Sequence, residues 1–127
     1  MDPIQYQLDN LQFEHSLWLN ELAHAFAEIS IYQKRIKIMI EPSFSTDDQE
    51  ELEMLLKGFT EQKSAITYIK NQILENLVDI RKKAKLNGAL KAVLQKDHSE
   101  IKERLIQFRN ELNELRNRFH KIIEWQK

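Results

Sequence analysis

Glycine and proline together supply only four of the 127 residues: Pro3, Pro42, Gly58 and Gly88. An average soluble chain carries roughly 12% of the two, several times this density. A β-sandwich or barrel needs turn residues every 8–12 positions or so, and a doubly wound fold needs them at each strand–helix junction. The chain has the punctuation for neither. What remains is a small number of long helices, and Pro42 and Gly88 cut the sequence into three pieces of similar length.

Each piece carries apolar residues spaced alternately three and four apart, the mark of a helix that buries one stripe. In the first the series is Ile4, Leu8, Leu11, His15, Trp18, Leu22, Ala25, Ile29, Tyr32, Ile36 and Met39. The segment Arg35–Ile40 alternates like a strand, but it lies inside this longer helical series. The second piece opens with Ser45 or Thr46 as helix cap, and Thr46-x-x-Gln49 has capping-box spacing. Its series is read as Leu52, Leu56, Phe59, Lys63, Ile66, Lys70, Ile73, Leu77, Ile80 and Ala84, supplemented by Leu55 and Ile69. Gly58 falls inside the pattern at a cost of about 1 kcal/mol relative to Ala, which weakens the helix without breaking it. The basic run Arg81–Lys85 suits a helix C-terminus, and Asn87-Gly88 reads as the stop. The third piece runs Leu94, His98, Ile101, Leu105, Phe108, Leu112, Leu115, Phe119 and Ile122. Asp97-x-x-Glu100 could cap a shorter helix; equal rod lengths favour one unbroken helix from Ala89.

The expected fold is all-α: an elongated up-down-up three-helix bundle with coiled-coil-like packing. It forms one domain over 1–127, with helices at about 4–41, 46–86 and 89–126.

Two polar marks set the register. His15 and His98 lie at similar heights on the parallel first and third helices, and Asn76 lies at the matching height on the second. A polar layer of His15, Asn76 and His98 inside an apolar core follows. The same alignment pairs Glu14 with Lys102, Glu21 with Arg109 and Glu28 with Arg116. Imidazole is a common metal ligand and titrates near neutrality, and Glu14 and Asp97 directly precede the two histidines. The plainer reading is a hydrogen-bonded layer that specifies register. Glu21-x-x-His24 has the spacing used by di-iron carboxylate bundles. Those sites need two such motifs, and this chain has one. His120 lies off the seam and is expected in solvent.

Chemistry of other kinds finds little support. Nineteen basic residues face twenty acidic ones, without the basic excess of a nucleic-acid binder. Cysteine is absent, which excludes disulfides and thiolate sites. The opening residues lack the regions of a signal peptide, no apolar run approaches the ~20 residues of a membrane span, and the balanced charge discourages a membrane-surface helix. A cytoplasmic protein is expected. No phosphate loop, nucleophile elbow or zinc-protease motif occurs, and no catalytic constellation or cofactor site emerges, so the chain is expected not to be an enzyme.

The first helix carries a second stripe. Phe13, Leu17, His24, Ala27, Ile31 and Ile38 fall on the side opposite the main series at the same spacing, skipping Asn20 and Lys34. A helix apolar on two sides is either central in a larger bundle or a contact surface. Self-association through Phe13, Leu17, Ala27, Ile31 and Ile38 is expected, most simply as a two-fold homodimer. Glu14-His15-x-x-Trp18 and Asp97-His98, with the late Phe119 and Trp125, resemble a pattern in small uncharacterised bacterial helical-bundle proteins. That resemblance implies a three-helix rod and carries no activity. The function expected is a non-enzymatic interaction or scaffold protein. The alternative is a metal-binding or pH-responsive module built on His15 and His98.

Overall fold

A computed structural model describes residues 3–40, 46–83 and 88–125, and the side chains of 9–40, 48–79 and 95–124. It contains three helices, α1 (Pro3–Met39), α2 (Thr46–Lys83) and α3 (Gly88–Trp125). Every described residue except Ile40 is helical, and the Ile40 amide still donates to the Ile36 carbonyl at 2.9 Å. The strand-like alternation of 35–40 therefore yields to the helical period. Pro3 is the first helical residue of α1, where its missing N–H costs nothing. At 1.5 Å per residue each rod is roughly 55 Å long.

Cross-helix bonds give the direction of each rod. Glu21 and Glu28 of α1 meet Arg109 and Arg116 of α3 in ascending order, so α1 and α3 are parallel. Glu51, Gln62 and Gln72 of α2 meet Arg118, Glu111 and Arg104 in descending order, so α2 runs against α3. The result is the all-α, up-down-up three-helix bundle. α2 packs closely against both neighbours, whereas α1 and α3 are bridged by long side chains.

The main stripes of α1 and α3 form the core where their side chains are described. From Trp18 to Ile36 and from His98 to Ile122 every expected position is buried; Leu11 and Met39 are half-buried. The side chains of Ile4, Leu8, Ile80, Ala84 and Leu94 lie outside the described residues, as do those of Thr46, Arg81–Lys85 and Trp125 and the turn at Pro42.

Three expectations are corrected. The buried stripe of α2 is Leu52, Leu55, Phe59, Gln62, Ile66, Ile69, Ile73 and Asn76. Leu56, Lys63 and Leu77 are half-buried at its edge and Lys70 is exposed. The Lys63 ammonium lies over the Phe26 ring, 4.6 Å from its centroid, a favourable use for a cation at a core margin. Secondly, the reading of Asn87-Gly88 as a stop changes, while α3 is continuous from Gly88 to Trp125 as expected, with no separate helix opened by Asp97-x-x-Glu100. Gly88 is its first residue, and no described glycine has positive φ; Gly88 is thus a helix start and not a left-handed stop. Thirdly, Gly58 is more than a fault. A Cβ placed there would lie 2.8 Å from Leu115 Cδ2, so the missing side chain lets α3 seat Leu115 against the α2 backbone.

Two layers interrupt the aliphatic core. Toward one end Tyr32, Phe59 and Phe119, one from each helix, meet with centroids 4.9–6.4 Å apart, within the usual range for aromatic pairs. The histidines mark the other.

Candidate functional site

His15 is fully buried and His98 is 8% exposed. Both occupy core positions that an aliphatic residue would ordinarily take, so their polar atoms need partners. They find each other: His98 Nδ1 and His15 Nε2 are 3.0 Å apart. His98 Nε2 lies 2.9 Å from Glu14 Oε2. A carboxylate only accepts, which makes His98 Nε2 the donor to Glu14; with the ring neutral, His98 Nδ1 is then an acceptor. His15 Nε2–H then donates to His98, and His15 Nδ1 carries a lone pair. The tautomers are assigned from this network.

Burial holds His15 neutral. Its pKa is lowered from 6.5 to about 4, first by desolvation and then by the neighbouring His98, with Glu14 opposing. A neutral His15 is what the assigned network requires. His15 Nδ1 has no hydrogen-bond partner; an unmet acceptor costs less than an unmet charge.

The cradle for His98 comes from one helix. Glu14, His15 and Trp18 lie within about one turn of α1, where Trp18 shares a face with His15 three residues and Glu14 four residues before it. The Trp18 ring stacks on His98 at 4.6 Å and 24°, and the His15 ring is tilted against it at 4.8 Å. The assembly forms a chain Glu14–His98–His15 leading from a half-exposed carboxylate into the dry core. Its chemistry is proton-linked hydrogen bonding. His15 is closed to solvent, and among the described residues no nucleophile or second acid is bonded to the pair.

Asn76 is buried on α2 but joins no hydrogen bond, since neither amide atom has a partner. The polar layer expected of three residues is thus a histidine pair completed by Glu14. Glu14 turns to His98 in place of Lys102. The other two expected pairs form: Arg109 grips Glu21 through two 2.7 Å bonds, and Arg116 Nε meets Glu28 at 2.6 Å. The Arg109 pKa is raised by its bond to Glu21.

The donor set does not suit a metal. The two imidazoles spend a nitrogen each on one another, and among the described residues no group of three or more His, Cys, Asp or Glu could hold an ion. Asp97 lines a shallow hollow of about 180 Å³ with Asn76, Glu100 and Asp79, away from the histidine bond. His24 is exposed on the wall of a groove shared with Glu21, Glu28, Arg109 and Arg116. With Glu21 committed to Arg109, Glu21-x-x-His24 does not form a metal motif. His120 is exposed, its ring edge-on to Tyr32 at 6.2 Å.

Sequence reasoning missed Gln62. It is 6% exposed and its Nε2 donates to Glu111 Oε2 at 2.9 Å. The signal was present, because Phe59, Gln62, Ile66 and Ile69 keep the three-four spacing without placing a lysine in the core.

The second stripe of α1 faces outward. Phe13 and Ile38 are each 65% exposed, Leu17 51% and Ile31 53%, and Ala27 is exposed among them. Neither neighbouring helix covers this side. Of the other exposed apolar residues, Met54 and Ile106 stand singly, Leu74 and Val78 are neighbours one turn apart on α2, and Phe26 and Tyr68 lie under the Lys63 ammonium at 4.6 Å and the Arg104 guanidinium at 4.7 Å.

No helix among the described residues is long and apolar enough to cross a membrane. Comparison with protein-family models, with curated proteins and with solved structures finds no match to the chain.

Proposed function

We propose that the chain is a non-enzymatic helical interaction module, a scaffold element that self-associates through the outer face of α1. The observation that carries this reading is the exposure of Phe13, Leu17, Ile31 and Ile38, each at least half open to solvent, in one line on a rigid helix. Asn20, His24 and Lys34 interrupt the stripe, yet large apolar side chains gathered on one exposed side of a helix mark an interaction surface. α1 already spends its other side on the core, so the stripe contributes nothing to the fold of one copy. Balanced net charge permits two like molecules to approach. The reading keeps the cytoplasmic setting expected from the sequence. The Leu17→Glu/Ile31→Glu variant tests it: both positions are exposed, so the variant is expected to keep full helicity while sedimenting as a monomer. A variant that still dimerises would overturn the assignment of this face.

A second reading is favoured by the chain Glu14–His98–His15: a module whose stability responds to pH. Elemental analysis of protein purified without chelator separates the proton-linked form of this reading from a metal-binding one; the geometry leads us to expect no stoichiometric metal.

A further inference from the structure

The antiparallel packing of α2 on α3 brings acidic residues together. In the register set by the bond from Arg104 Nη1 to Gln72 Oε1 at 3.3 Å, Asn76 stands level with Glu100 and Asp79 with Asp97. These four, with Glu75, line the hollow of about 180 Å³ between the two helices. Glu75 and Asp79 are four apart on α2, and Asp97 and Glu100 are three apart on α3. Each pair is unfavourable on its own helix, and here the two pairs face each other. Asp79 and Asp97 are half-buried in this position. Among the described residues no lysine or arginine pairs with any of the four carboxylates. Arg104, close by, is turned to Gln72 and to the Tyr68 ring.

Asn76 is an independent mark of the same place. It is 3% exposed, neither Oδ1 nor Nδ2 has a hydrogen-bond partner, and it lines the hollow beneath the carboxylates. A buried amide unmet on both atoms costs stability, and an aliphatic residue would continue the buried stripe of α2 without that cost. We infer that the hollow receives an arginine carried on a basic, apolar-flanked segment of a partner protein.

The spacing of the acidic groups selects the class of cation. A metal ion draws its oxygen ligands to within about 2.6 Å of one point, and among the described residues no three carboxylates or imidazoles converge in that way. A guanidinium spreads five N–H donors over a planar fork and takes carboxylates in pairs, which suits separated carboxylates on two helices. Asn76 selects a peptide over a free amine. Its Oδ1 accepts from the guanidinium, while its Nδ2–H donates to a backbone carbonyl beside the arginine. The rim fits the same partner. Leu74 is 41% exposed and Val78 46%, and they share a shelf with Glu75 and Asp79 that gives footing to apolar residues flanking the arginine. Complementary charge of this kind fixes the orientation of a partner. The site is built from α2 and α3 alone, so it goes beyond the self-association of α1 and does not rest on it.

Titration of the full isotope-labelled chain with acetyl-Leu-Arg-Leu-amide, followed by NMR, tests the proposal. The Asn76 side-chain NH2 signals are expected to move saturably. Binding should weaken about tenfold or more when citrulline replaces the arginine, or when the protein is the Asp79→Asn/Asp97→Asn variant. That variant relieves the facing charges and is expected to be at least as stable as the native chain, so its loss of binding is not a loss of fold. The citrulline comparison uses the native protein throughout. Unmoved Asn76 signals, equal binding of the citrulline peptide, or undiminished binding by the variant would each overturn the proposal. Saturation of the Asn76 shift by calcium or magnesium chloride at lower concentration than by the peptide would give the site to a metal and overturn it too. So would a tenfold gain in peptide affinity in Lys82→Gln/Lys83→Gln protein, which would make the chain's own basic run the occupant. Leu17→Glu/Ile31→Glu protein is expected to bind the peptide as the native chain does, so failure of the α1 reading and failure of this one are told apart.

Discussion

His15 shows how a single residue couples packing to acidity. Its ring is sealed in the core, donates one hydrogen bond to His98 and is held neutral with a pKa of about 4 against 6.5 unfolded. Between those values the unfolded chain binds a proton that the folded chain refuses. Stability is therefore fully present above pH 6.5 and is lost as pH falls toward 4. The linkage amounts to about 2 kcal/mol by pH 5. Urea denaturation at pH 7 and pH 5 should show this loss, and the His15→Leu/His98→Leu variant should lack most of it. At pH 7 that double variant is expected to fold with equal or greater stability, because two polar groups leave the core together. His98→Leu alone strands the His15 Nε2–H donor and should cost about 1–3 kcal/mol. A double variant weaker than the single one would show that the pair stabilises the fold beyond its own desolvation.

At the scale of the element, α2 separates what was legible in the sequence from what was not. In α3 three-four spacing singles out one stripe, and in α1 it gives a long series and a sparser one on the opposite side; the α3 stripe and the long α1 series are the ones buried where described. In α2 two overlapping series share Leu52, Phe59, Ile66 and Ile73, and spacing alone does not choose between Lys63 and Gln62 or between Lys70 and Ile69. Burial chooses the series without lysine, since an ammonium in a three-helix core has no partner to offset its desolvation. The role of Gly58 was hidden for another reason: helix propensity is local, whereas the approach of Leu115 is a property of two helices. The prediction turns on what Leu115 can do. Gly58→Ala gains about 1 kcal/mol of helix propensity and places a methyl 2.8 Å from Leu115 Cδ2. That atom is the far end of a flexible side chain beside an open groove, so Leu115 gives way at little cost and the net effect should lie between neutral and about 1 kcal/mol stabilising. In a Leu115→Ala background, where nothing has to move, the substitution should show the full gain. Chemical denaturation of the four proteins completes the cycle, and a clear destabilisation by Gly58→Ala in the native background would show that Leu115 is held in place.

For the whole molecule, two parallel rods bridged by arginine–glutamate pairs leave α1 with a second apolar stripe exposed. The histidine pair was legible because equal helix lengths bring positions 15 and 98 to one height. The turn of Glu14 toward His98 was not, because side-chain direction depends on the wider spacing of α1 and α3. The outer stripe was legible as a pattern, and its exposure became visible only once α2 and α3 were placed. Since nothing among the described residues of one copy covers Phe13, Leu17, Ile31 and Ile38, the account centres on a second copy doing so. Sedimentation equilibrium of the unmodified protein over a concentration series is the most direct test. The account predicts a reversible monomer–dimer equilibrium whose dimer is abolished by Leu17→Glu/Ile31→Glu; a single monomeric species persisting to several hundred micromolar would contradict it.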